Sequence, residues 1–136
     1  TWNLRGNGHG CAVPMSLVDS ELRENRNLIY LGVPYSKLPN SAALPFERTS
    51  GGGDIGQLSY SNAMSIVTFP EGDGMALHID APQGRSDLVE DLFYAYQPFS
   101  SRRGMPDYLV FDDQGAAAIG FFDGSWSYNG SYGGSR

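Results

Sequence analysis

The chain has 136 residues, 40% of them apolar, with 18 glycines, eight prolines and a single cysteine, and its formal net charge is −6. That length suits one domain with a core of its own, and a lone cysteine excludes an internal disulfide. The negative charge argues against a phosphate-backbone partner, and no apolar run reaches the ~20 residues of a membrane-spanning helix.

Residues 1–13 read as a glycine-rich lead-in with Trp2 and Leu4 as anchors. Ser16 is expected to cap a short helix from Leu17 to Glu24, with Asp19 three residues on completing a capping-box-like pair. Leu28–Val33 has strand composition. Residues 34–54 contain Pro34, Pro39, Pro45 and the run Gly51–Gly53, which predicts a long loop. Three strands follow, Ile55–Tyr60, Ala63–Phe69 and Met75–Asp80, separated by turns at Ser61-Asn62 and at "PEGDG". In the third strand Met75, Leu77 and Ile79 alternate with Ala76, His78 and Asp80, so the period of two puts His78 and Asp80 on one face.

"RSDLVEDLFYAYQPF" predicts a second helix, with Ser86 as its cap, Asp87 and Glu90 in its first turn and Pro98 as its end. Leu88, Leu92 and Tyr96, flanked by Val89 and Phe93, make its apolar stripe. "YLVFD" and "AAAIGFF" form a last hairpin around "DQG". Residues 125–136 are rich in Gly, Ser and Tyr and read as a flexible tail. The expected whole is a single α+β domain over 1–136. It has a mostly antiparallel sheet of five to seven short strands and two helices packed on one face.

Chemistry-bearing residues are few. Cys11 is a candidate nucleophile, His78 its base and Asp80 an orienting carboxylate, in the manner of Cys-His hydrolases. "CAVPMS" (11–16) resembles the cysteine segment of the bacterial type VI secretion amidases, which implies a nucleophilic role for Cys11. The resemblance covers six residues, and the chain departs from that family in having no Gly-His pair at His78. A helix starting after Ser16 leaves Cys11 beyond the reach of its dipole, whereas a start at Pro14 brings it closer. The plain alternative for Cys11 is a small half-buried hydrophobe.

His9, Cys11, His78 and Asp80 have zinc-compatible donor atoms, but no CxxC, HExxH or HxH spacing joins them, so no metal and no cofactor are expected. Asp112, Asp113 and Asp123 fall on or beside the last hairpin. They suit either solvated turns or an acidic docking face for a basic protein. Trp126, Tyr128 and Tyr132 sit in the polar tail, where they would serve as aromatic anchors for a partner surface or a sugar. No GxSxG elbow and no phosphate loop occurs.

Residues 74–113 run strand, helix, then the strand of "RGMPDYLVFD", which resembles the C-terminal half of some small bacterial immunity proteins. That resemblance implies a partner protein. With no complete catalytic constellation, but strong charge, exposed-looking aromatics and a long irregular loop, the sequence favours a small acidic protein-binding module of the inhibitor or immunity type. A Cys-His amidase or peptidase built on Cys11 and His78 is the alternative, and a carbohydrate-binding module built on the tail aromatics is the third. The partner is expected to be a protein with a basic surface. A cytoplasmic location and a disulfide-free secreted one both fit.

Overall fold

The structure, a computed structural model, describes residues 12–95 and 105–130. Among them the chain forms eight strands in two sheets, with two short helices. The helices are α1 (Ser20–Asn25) and α2 (Ser86–Ala95). The strands are β1 (Leu28–Leu31), β2 (Phe46–Arg48), β3 (Gly52–Ile55) and β4 (Leu58–Ser61), then β5 (Met64–Glu71), β6 (Gly74–Asp80), β7 (Tyr108–Asp112) and β8 (Gly115–Gly120). One sheet has the order β1-β6-β5-β7-β8, and the other is the meander β2-β3-β4. Only the β1–β6 pair is parallel.

The period-two pattern of β5, β6 and β7 divides the core into two clusters. Met64, Ile66, Leu77, Ile79, Leu109 and Phe111 project from one face and pack with Leu88 and Leu92 of α2. Both leucines are fully buried, and each such burial stabilises by about 1.5–3 kcal/mol. Val67, Phe69, Ala76, Tyr108 and Val110 project from the other face. They pack with Phe46 and Ile55 of the smaller sheet, with Leu38, and with Phe122 from beyond β8.

Several expectations are corrected. The two helices do not form a layer together on one face: α1 buries none of its residues. Ser16 does not cap it. Asp19 does, its carboxylate accepting the Leu22 N–H at 2.9 Å, while Met15–Leu17 forms a separate 3₁₀ turn. The predicted single strand 55–60 is broken, because Gly56 adopts φ +58° and turns the chain from β3 into β4. The predicted loop 34–54 ends early: after two 3₁₀ turns it supplies β2 and most of β3.

The triple glycine is part of that smaller sheet rather than a free loop. A Cβ at Gly52 would run into the Tyr60 and Ser61 backbone, so the strands approach closely only without one. The β5–β6 hairpin turns where "PEGDG" placed it, with Gly72 at φ +57°. No helix among the described residues is long and apolar enough to cross a membrane.

Candidate functional site

His78 and Asp80 share the β6 face that looks toward the smaller sheet, as their spacing predicts. Each hydrogen-bonds a different partner. Asp80 Oδ2 accepts the Arg48 Nε–H at 2.9 Å. Arg48 also donates from Nη1 to the Ala63 carbonyl at 2.9 Å, and its guanidinium lies 5.6 Å from the Tyr60 ring centre. The His78 imidazole packs 5.5 Å from the Phe46 ring, and its Nε2 bonds the Val33 carbonyl at 2.8 Å.

His78 is fully buried. Burial pushes its imidazole below the usual range, against the upward pull of the Val33 bond and the Asp80 charge. Its Nδ1 has no partner, and neither do the buried Ser65 Oγ and Arg48 Nη2. A base has to reach the proton it moves, and this ring opens onto no surface. Its visible work is structural: it fastens the chain after β1 to the sheet. Cys11, the candidate nucleophile of the alternative reading, and His9 lie outside the described residues.

The tail aromatics divide. Tyr132 lies outside the described residues. Trp126 and Tyr128 are half-buried and pack against the core, so this part of the expected flexible tail folds back. Asp123 makes the turn: its carboxylate accepts the Ser125 and Ser127 N–H groups at 2.8 and 2.9 Å. Trp126 takes φ +59° there, a strained setting for a large side chain. Its ring lies 6.0 Å from that of Phe122, and Tyr128 lies 6.0 Å from Tyr108. The Tyr108 hydroxyl donates to the Gly130 carbonyl at 2.7 Å, closing the fold-back.

The three candidate aspartates also divide. Asp123 serves its turn. Asp112 accepts the Gln114 N–H at 2.8 Å and so holds the β7–β8 turn. Asp113 is different: it is ion-paired with Arg85, whose guanidinium also binds Asp87 at 2.8 Å. Arg85 thereby ties the β7–β8 turn to the first turn of α2. The Arg85 guanidinium holds the Asp87 carboxyl below the usual range for an aspartate, with its hydrogen bond as the main cause.

From that point the outward face of α2 continues through Glu90, Asp91 and Tyr94, all exposed. The positions 87, 90, 91 and 94 are neighbours on one helix side, opposite the buried Leu88 and Leu92. Sequence reasoning picked out the apolar stripe of this helix but did not single out the opposite face as a site, although the same periodicity encodes both. No three His, Cys, Asp or Glu side chains among the described residues converge as a metal site. Comparison with known protein families, curated proteins and solved structures finds no match to this chain.

Proposed function

We propose that the protein is a small acidic protein-binding module of the inhibitor or immunity type, which docks the outer face of α2 on a basic surface of its target. The observation that carries this is the pattern of unmatched charge. All fifteen carboxylate side chains lie within the described residues, together with five of the nine cations. Two of those five are committed: Arg48 to Asp80 in the interior, and Arg85 to Asp87 and Asp113. Glu90 and Asp91 have no ion pair among the described residues. Beside them Tyr94 is 69% exposed. A carboxylate cluster around an exposed aromatic suits a complementary basic patch: charge speeds encounter, and the aromatic supplies contact area.

Titration of the protein with an oligo-arginine peptide, followed by calorimetry at several salt concentrations, tests the face. The triple change Asp87→Asn, Glu90→Gln, Asp91→Asn is expected to weaken binding about tenfold, roughly 1.4 kcal/mol. The change Glu21→Gln, Glu47→Gln, Asp73→Asn removes the same charge elsewhere and is expected to weaken it far less. Equal losses in the two triples would mean that only net charge matters and that α2 is no docking face.

A further inference from the structure

A cavity of about 590 Å³ opens on the opposite kind of surface. Its walls come from the 3₁₀ turn Met15–Leu17, from α1, and from the chain that follows β1. Met15, Val33 and Pro34 make the walls apolar, and Arg23 and Lys37 are the charged residues that line it. Five cations lie among the described residues, and two are spent in ion pairs with aspartates. Two of the remaining three line this one hollow.

Neither has an ion pair among the described residues. The Arg23 guanidinium sits beside the Tyr30 hydroxyl, which donates to Glu71 at 2.7 Å. Arg23 Nε itself is buried without a hydrogen-bond partner among the described residues. Lys37, at the end of the turn Tyr35–Lys37, is exposed. The wall between them is fixed from behind, because His78 bonds the Val33 carbonyl.

We propose that this hollow binds a small amphipathic organic acid: a single carboxylate received by Arg23 and Lys37, with its hydrocarbon body on Met15, Val33 and Pro34. Pockets of this size bind small ligands through apolar walls and a few convergent polar groups. Two cationic donors can serve the two oxygens of one carboxylate, and apolar walls favour a hydrocarbon over a strongly hydrated, multiply charged anion such as phosphate. The site is independent of the acidic helix face, so either can fail without the other.

The test is an NMR amide-shift titration of the whole chain with hexanoate, and in parallel with hexanamide, its neutral isostere. The expected result is saturable hexanoate shifts centred on residues 15, 16, 23, 32, 33 and 35–37, with hexanamide at least about tenfold weaker. Lys37→Gln is expected to weaken hexanoate about tenfold, with Lys37→Arg close to the parent. Lys37 is exposed, so the fold tolerates both changes. Arg26→Gln removes the remaining cation without an ion pair among the described residues and is expected to leave binding unchanged. Equal binding of acid and amide, equal losses from Lys37→Gln and Arg26→Gln, or shifts scattered over the surface would each overturn the proposal.

Discussion

Arg48 and Arg85 hold aspartates with the same chemistry at nearly the same distance, 2.9 Å to Asp80 and 2.8 Å to Asp87. Their surroundings differ. The Arg48 side chain is 2% exposed and Asp80 22%, whereas Arg85 is 20% exposed and its partners Asp87 and Asp113 are 54% and 65% exposed. In the first pair the Arg48 charge has left water, so it depends on its partner. At the surface water and salt already satisfy both sides, and the pair adds little. A short ion-pair distance therefore does not tell how much depends on it; burial does.

The largest expected effect breaks the interior pair. Asp80→Asn leaves the Arg48 charge uncompensated and is expected to cost about 3 kcal/mol in urea unfolding. Arg48→Met with Asp80→Leu, which removes both charges, is expected to recover much of that loss. If Asp80→Asn costs no more than Asp87→Asn, the contrast between interior and surface fails.

Next in size is a pH effect. His78 is held neutral, so in the fold its pKa lies below the 6.5 of the unfolded chain. The unfolded chain then takes up the proton first as pH falls below that value. Stability is full above it and declines toward acid, levelling off once the folded ring also protonates. Asp80 and Arg48 act on the ring in opposite directions, so the decline belongs to the desolvated imidazole. His78→Phe is expected to cost about 1 kcal/mol near neutrality for the lost Val33 bond and to flatten this part of the stability profile. An unchanged slope would show that His78 does not set it.

The smallest effect lies at the surface. Asp113→Asn is expected to shift the melting midpoint slightly at low salt and not measurably at high salt. A loss that survives high salt would mean that Arg85 fastens the β7–β8 turn to α2 more firmly than its exposure implies.

The parts of the fold that were legible in the sequence are those with local signals. α2 is marked by its leucine stripe, β6 by strict alternation, and the two long hairpins by "PEGDG" and "DQG". The β2–β3–β4 meander was hidden because Gly51–Gly53 looks like loop composition. Gly52 is there for close backbone approach, a need that exists only once the neighbouring strand is in place. Parallel pairing of β1 with β6 leaves no local trace at all. At the candidate site, the shared face of His78 and Asp80 was legible. Their partners were not, because Arg48 and Val33 arrive through the tertiary fold. Trp126 and Tyr128 were masked by Gly and Ser around them, although Asp123 followed by two serines was a turn signal in plain view.

The sheet order has a consequence in time. β5 and β6 form one hairpin, β7 and β8 another, and the register Met64–Val67 against Phe111–Tyr108 is their joint. Hairpins form locally, on the order of 1–10 μs. The joint must instead close across everything from Asp80 to Tyr108, α2 included, and such non-local pairing is slow. Closure of this joint is therefore expected to be among the slow steps of folding, with the parallel β1–β6 pairing, which is equally non-local. Stopped-flow refolding of Ile66→Val, which thins that joint by one methyl group, would be slowed, whereas a change confined to faster unfolding would place the slow step elsewhere.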